Sequence, residues 1–393
     1  MSRARGLRRR PCPRLVVAGL GDSGLLTAIH LARSCDVVGV SAKPGLVSGQ
    51  ELGLRLARPD AWAREYRVGF RRYHRLRGAR TVHGTLTSLD LEARHVVVRL
   101  ADDTETTEPY DVLVVATGVT NGFWRRPSFQ TEAEVDAELR EQHRRLSAAT
   151  RVVVVGGGAA AVSSAAQVAA RWPDKRVDLY FPGERGLPHH HGRVWRTARR
   201  RLLALGVVLH PGHRAVLPSG TGDAPLAPAT VRWSTGQAPV AGDAVLWAVG
   251  RVTPNTGWLP ERLLDEDGFV RVDPYLQVPG HPGVFALGDV AATDPLRTSA
   301  RNSGHRLLAH NVRASLAGRP LRAYRPPRRR WGSVLGPLRD GLLVFGPTGR
   351  AFRFPAWTHD HLLRGVIVRW GIYRGIARPS RPRLLPDPRR SSG

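Results

Sequence analysis

Cysteine is nearly absent: the chain holds only Cys12 and Cys35. Their separation makes neither a CxxC pair nor a zinc-type cluster. That excludes a disulfide-stapled scaffold and points to a reducing compartment, the cytoplasm. Lysine is as scarce, with Lys43 and Lys175 alone. No apolar run approaches the ~20 residues that span a bilayer. No secretory apolar segment follows Met1, although the basic run RARGLRRRP is there. The expectation is a protein that is soluble or lies on a membrane surface.

What the chain has in excess is arginine. The formal net charge is +28, and it gathers at the ends. Residues 1–14 carry six Arg and no acid, and residues 319–393 carry 17 Arg against three Asp. Such ends attract anions: a membrane surface, an acidic protein or nucleic acid. Biased codon usage is the alternative reading of this charge, since arginine so far outnumbers lysine. At 393 residues and 42% hydrophobic content, two or three packed domains are expected.

One plan is used twice. RLVVAGLGDSGLLTAIHLA from Arg14 aligns with RVVVVGGGAAAVSSAAQVA from Arg151: a buried strand, a glycine turn and a helix. A second short strand follows each, DVVGVSA from Asp36 and RVDLYFP from Arg176. Each half later closes with a strand ending in a small turn, YDVLVVATGV at Gly118 and GDAVLWAVGRV at Gly250. Between the halves, residues 81–111 alternate like a β-meander. The fold class is therefore α/β with two Rossmann-like units.

In such turns the first glycine permits the tight reversal. The second lets a pyrophosphate approach the backbone, and the third small residue lets helix and strand pack closely. The first turn offers Gly19, Gly21 and Gly24, and the second Gly156, Gly158 and Ala161. One such pattern is weak evidence, but two in matched context argue against mere packing turns. A third motif, HPGVFALGDVA (281–291), ends in Gly288-Asp289.

With these motifs the sequence resembles the two-dinucleotide-binding-domain flavoproteins over roughly residues 14–318. The resemblance implies that Gly19, Gly21, Gly24, Lys43, Thr117, Gly118, Gly288 and Asp289 bind FAD, with Asp289 accepting hydrogen bonds from ribityl hydroxyls. It likewise implies that Gly156, Gly158, Ala161 and Gly250 bind NAD(P)H. The FAD domain is then discontinuous, 12–122 and 248–318, around an NAD(P) domain at 123–247, with a C-terminal extension at 319–393. No redox disulfide accompanies the flavin, so the glutathione- and thioredoxin-reductase types do not fit. What remains is similar to the apoptosis-inducing-factor and type II NADH dehydrogenase branch, and to the ferroptosis-suppressor quinone reductases in particular. That implies electron transfer from NAD(P)H through FAD to a quinone or other small acceptor, with no catalytic side chain required for the hydride step. An acidic ferredoxin or rubredoxin is an alternative acceptor. A non-turnover, NADH-sensing protein binding nucleic acid through its basic ends is a third reading, and nucleic acid is the least expected partner.

The chain departs from that branch in three places. Ser163 and Ser164 stand where an acid often follows the second turn. Ser41 and Phe181 stand where an Asp or Glu takes the adenosine ribose hydroxyls. Without the second carboxylate NADH loses a contact and a 2′-phosphate loses a repulsion, which makes Arg185, Arg193 and Arg196 candidates to receive NADPH. The quinone-site sequence of the type II dehydrogenases is not reproduced, leaving Asn302 and His305 as candidates for the flavin edge.

Lesser signals complete the reading. The run PHHHG (188–192) is expected to be a solvated loop rather than a metal site. Lys43, Gln50 and Glu51 face the flavin, or else start a surface helix. Residues 341–355 (GLLVFGPTGRAFRFP) are expected to form a hairpin around Pro347–Gly349. In a helix over 356–378, Leu362, Leu363, Val366, Trp370 and Tyr373 share one face, with Arg364, Arg374 and Arg378 opposite. Such a helix suits an anionic membrane surface, the inner face of the cell membrane for a cytoplasmic protein.

Overall fold

The computed structural model describes residues 12–218, 224–250, 252–297 and 304–377. Two five-stranded sheets organise them. The first runs in the order Val284–Ala286, Val112–Val115, Arg14–Ala18, Asp36–Ser41, Arg80–His83, all parallel. The second runs Val208–His210, Arg176–Tyr180, Arg151–Val155, Val240–Trp247, Ala227–Val231, with only the last strand antiparallel. Arg14–Ala18 and Arg151–Val155 hold the same central place. Four of the five residues in each are buried, which is why both read as unbroken apolar runs: a parallel strand is covered on both faces. This is the α/β, doubly wound architecture that the two glycine turns predict.

Helices Asp22–Leu31 and Ala159–Arg171 leave the two central strands. In each unit the next strand pairs on one side and the closing strand on the other, so a crevice opens at the carboxyl end of the central strand. The units touch through helix Leu52–Ala57, which lies so close to Ala159–Arg171 that a Cβ on Gly53 would strike the Ser163 carbonyl. Arg55 of that helix is buried. Its guanidinium donates to the Trp124 carbonyl at 3.0 Å, lies 4.9 Å from the centre of the Trp62 ring and meets Glu138 at 3.4 Å. Val119–Thr120 and Thr253–Pro254 pair antiparallel where the chain passes between units. The meander is present as Thr85–Asp90, His95–Arg99 and Glu105–Pro109.

The C-terminal extension is a cover. Its strap is pinned by the Tyr324 N–H, which donates to the Pro274 carbonyl at 2.7 Å. Val334, Leu335 and Phe345 are buried in the core of the second unit. The hairpin forms as expected, Leu342–Phe345 against Ala351–Phe354.

The terminal helix differs from its reading. One α turn at Ala356–Thr358 passes into a π-helix, His359–Ile372. The i→i+5 pattern widens the turn and breaks up the face expected at 3.6 residues per turn. Tyr373 turns inward and packs on Tyr73 with ring centres 5.3 Å apart, while Ile376 bridges the Tyr73 backbone. Val366 and Trp370 stay exposed, joined by Trp357 and Ile367. The side chains of Leu362, Leu363 and Arg364 lie outside the described set, as does Arg378. No helix among the described residues is long and apolar enough to cross a membrane.

Candidate functional site

The central strand of each unit ends in a glycine that an L side chain could not replace. Gly19 has φ +99° and its Cβ would lie 2.6 Å from the Ala116 carbonyl oxygen. Gly156 has φ +140° and its Cβ would strike the Ala248 carbonyl oxygen. Ala116 and Ala248 follow the two closing strands, so the same clash guards the same place in both units. The next motif glycines behave oppositely. A Cβ on Gly21 or Gly158 would meet nothing within 4 Å. Each is the N-cap of its helix, and neither helix has a side-chain cap. The first N–H groups of both helices are thus left for an outside acceptor, with the positive end of the helix dipole behind them. Open space plus uncapped N–H donors is what a pyrophosphate requires, and both turns meet that test.

A single cleft of about 660 Å³ joins the two turns. It is lined by Gly19, Gly21, Lys43, Thr117, Gly118, Gly288 and Asp289 from the first unit and by Gly158 and Gly250 from the second. Gly24, Gly156 and Ala161 do not line it. Gly24 and Gly156 shape the turns from behind, and Ala161 is fully buried 3.4 Å from where a Gly156 Cβ would sit. Thr117 donates its hydroxyl to the Asn255 carbonyl at 2.8 Å, and the Asn255 amide returns a bond to the Thr117 carbonyl at 3.0 Å. This lock joins the two crossings between units. Lys43 donates to the Ser128 carbonyl at 2.6 Å and to the Gln130 side chain. Burial, partly opposed by Glu138, brings its pKa down to about 8. Gln50 and Glu51 line the cleft as well, so this segment faces the site. Glu51 caps its helix at φ 53°, a left-handed conformation uncommon for a non-glycine residue.

Sequence reasoning missed several lining groups. Arg125 reaches Asp289 at 2.8 Å. His190, Arg330 and Trp331 also line the cleft. Nothing in the sequence marks Arg125 or Arg330 among so many arginines. His190 corrects the reading of PHHHG as a solvated loop. It is 6% exposed, because the Leu187 N–H donates to the Gly157 carbonyl at 2.6 Å and folds the loop onto the second turn. His191 caps helix Gly192–Ala204, accepting from the Arg193 N–H. No group of three metal-ligating side chains occurs among the described residues.

A second cavity, of about 1050 Å³, adjoins the first and shares Asp22, Gln50, Glu51, Trp331 and Ser333 with it. Its remaining walls include Tyr66, Leu139, Ile372 and Tyr373. His305 faces this cavity, not the cleft. Its ring centre lies 5.2 Å from that of His30. Burial, aided by neighbouring arginines, holds His30 near pKa 4, and burial with the charge of His30 and Arg306 holds His305 near 3. Asn302 lies outside the described residues. Both cysteines are free and neither lines the cleft.

Known proteins share sequence or fold with this chain. Oxidoreductase ptaL of Pestalotiopsis fici is 29% identical over 297 residues, 73% of this chain and 74% of its own. Ferroptosis suppressor protein 1 of Xenopus tropicalis is 44% identical over 64 residues, 16% of this chain and 17% of its own. The reduced CoADR-RHD of Bacillus anthracis superposes with a TM-score of 0.63 at 17% identity, over 86% of this chain and 62% of its own. This chain thus spans less than two thirds of that protein's length. A ferredoxin reductase of Rhodopseudomonas palustris gives a TM-score of 0.60 at 22% identity, over 81% of this chain and 79% of its own. Residues 4–314 match the family model for pyridine nucleotide-disulphide oxidoreductases. The chain belongs to that family, whose cofactors are FAD and NAD(P)H.

Proposed function

We propose that this protein oxidises NAD(P)H through FAD and passes the electrons to a quinone-like acceptor. The observation that carries the reading is the continuity of the two hollows: one cleft holds both glycine turns and Asp289, and a larger cavity opens beside it. The first turn, Asp289, Lys43 and Thr117 hold the flavin. The second turn and Gly250 hold the nicotinamide nucleotide. The chemistry that FAD would supply there is two-electron redox transfer. The protein's own residues position and exclude: Glu51, Trp331 and Ser333 stand between the two hollows, and the C-terminal strap roofs both. The adjoining cavity, walled by Tyr66, Leu139, Ile372 and Tyr373, suits a flat quinone-like acceptor.

The extension gives this acceptor a route. Trp357, Val366, Ile367 and Trp370 are exposed on the segment that carries Ile372 and Tyr373. Set among arginines, they suit the interface of an anionic membrane, from which a lipid-soluble quinone would enter. The local likeness to ferroptosis suppressor protein 1 supports the same branch. A small acidic redox protein is the second reading, supported by the net charge of +28.

Steady-state oxidation of NADH and NADPH by the FAD-loaded chain, against soluble quinones and an acidic ferredoxin, tests the reading. Turnover with quinones is the expected result. Turnover with ferredoxin alone selects the second reading, and flavin reduction without turnover overturns both.

A further inference from the structure

Helix Asp22–Leu31 starts at the first glycine turn, and Asp22, Leu26 and His30 recur along it every fourth residue, so they share one face. Asp22 and Leu26 line the larger cavity, and His305 lines it from the neighbouring helix Gly304–Leu316. His30 is not in the cavity wall, but its ring centre lies 5.2 Å from that of His305. His305 is 4% exposed, whereas His30 is half-buried, nearer the solvent. Among the described residues neither ring makes a hydrogen bond. One nitrogen of each is shut from solvent with no partner, Nε2 of His30 and Nδ1 of His305. The other nitrogen of each, His30 Nδ1 and His305 Nε2, is not left in that state. Buried nitrogens without a partner are uncommon, and two on touching rings call for a reason. Burial, then Arg374, Arg306, Arg313 and Arg75, disfavours the charged form of His30, and burial, then His30 and Arg306, does so for His305. A neutral imidazole has one donor and one acceptor nitrogen, so it relays a proton by taking one as it gives the other.

We propose that His305 is the proton donor to a quinone-like acceptor in the larger cavity and that His30 resupplies it from solvent, the two orphaned nitrogens meeting in a hydrogen bond as the proton passes. The proposal rests on the reading of that cavity as the acceptor site. Reducing a quinone to a hydroquinone takes two electrons and two protons. The hydride of NAD(P)H brings both electrons and one proton, so the second proton comes from water. His305 Nε2–H gives its proton to a quinone oxygen, His305 Nδ1 takes one from His30 Nε2–H, and His30 Nδ1 takes one from solvent. Each ring ends neutral, and a return to the starting tautomers readies the pair again. A one-electron acceptor that takes up no proton, such as ferricyanide, does not need it.

The test compares quinone and ferricyanide turnover by the FAD-loaded full chain. His30→Phe keeps an aromatic ring that carries no exchangeable proton, and it is expected to lower the ratio of quinone to ferricyanide turnover about 10- to 100-fold. In His30→Ala the same ratio should fall and then recover when imidazole is added to fill the vacated space. Histidine NMR gives a readout apart from activity: the unaltered chain, with or without FAD, is expected to show a proton shared between His30 Nε2 and His305 Nδ1, and both variants to lose it. An unchanged ratio in His30→Phe, a fall in His30→Ala that imidazole does not reverse, or no shared proton in the unaltered chain overturns the proposal while sparing the acceptor reading. Ferricyanide turnover without turnover of any quinone by the unaltered chain overturns the acceptor reading and the proposal with it.

Discussion

Arg125 and Asp289 form an ion pair at 2.8 Å in the cleft wall, on segments that follow Val112–Val115 and Val284–Ala286, neighbouring strands at one edge of the first sheet. The acid that the flavin motif supplies is therefore held by a base the motif does not mention. Both side chains are about a quarter exposed, 27% and 21%, so the pair itself adds at most ~1 kcal/mol to stability. Its consequence is positional: Arg125 fixes the carboxylate and lies beside Gly118, where a Cβ would meet its guanidinium at 3.3 Å.

Asp289→Ala is expected to keep the fold and weaken FAD retention by ~1.5–3 kcal/mol, the cost of a charge-assisted hydrogen bond. Arg125→Ala should weaken it less, because Asp289 remains. Released flavin fluorescence on dilution measures both, and unchanged retention in Asp289→Ala would remove this residue from the flavin site.

The two kinds of motif glycine should separate cleanly. Gly156→Ala forces a Cβ into the Ala248 carbonyl at φ +140°, with a strain cost on the order of 1–3 kcal/mol. Thermal unfolding is expected to show it. Gly21→Val places its side chain in open space and should leave the stability of the cofactor-free chain within ~1 kcal/mol, while blocking the phosphate path and so abolishing FAD uptake. If Gly21→Val still takes up FAD, the open space is not the pyrophosphate site.

The His30–His305 contact predicts a pH effect on folding. Both imidazoles have lowered pKa values, near 4 and 3, so between those values and 6.5 the unfolded chain binds more protons than the folded one. Stability then rises with pH from about 3–4 to 6.5 and levels off above it. Each histidine contributes on the order of 3 kcal/mol across that window. Denaturant titrations from pH 4.5 to 7.5 should show the slope, and His305→Phe should flatten it. An equal slope in that variant assigns the effect elsewhere.

The extension offers a test of docking and membrane contact together. Ending the chain at Tyr324 removes Val334, Leu335 and Phe345 from the second unit's core, so the truncated protein is expected to lose several kcal/mol of stability. Trp357→Glu with Trp370→Glu changes only exposed positions, 70% and 55% accessible. It should spare stability while weakening sedimentation with anionic liposomes, an association that salt should also reduce. Binding unaffected by both substitutions and salt would rule out this face.

What the sequence determined by itself was the repeated unit. Period, strand and turn are local: four valines before Gly156 and the run LVVAG before Gly21 define a buried parallel strand and a reversal wherever they fold, and the matched order of Gly118 and Gly250 defines where each sheet closes. Asp289 stood out only because it belongs to a motif. The hairpin at Pro347–Gly349 was legible because its turn is local too. What only the tertiary structure decided depends on residues far apart in the chain. Arg125 and Asp289 meet beside two neighbouring strands of the first sheet that lie far apart in the chain, and the Arg330 N–H reaches the His189 carbonyl from the C-terminal strap. His190 is buried because Leu187 folds back on Gly157, and His305 is turned from the cleft by its contact with His30. The terminal helix shows the same limit most plainly: its face was read from a 3.6-residue period, but docking of Tyr373 on Tyr73 goes with a wider turn, and burial of one distant aromatic pair outweighed the local rule.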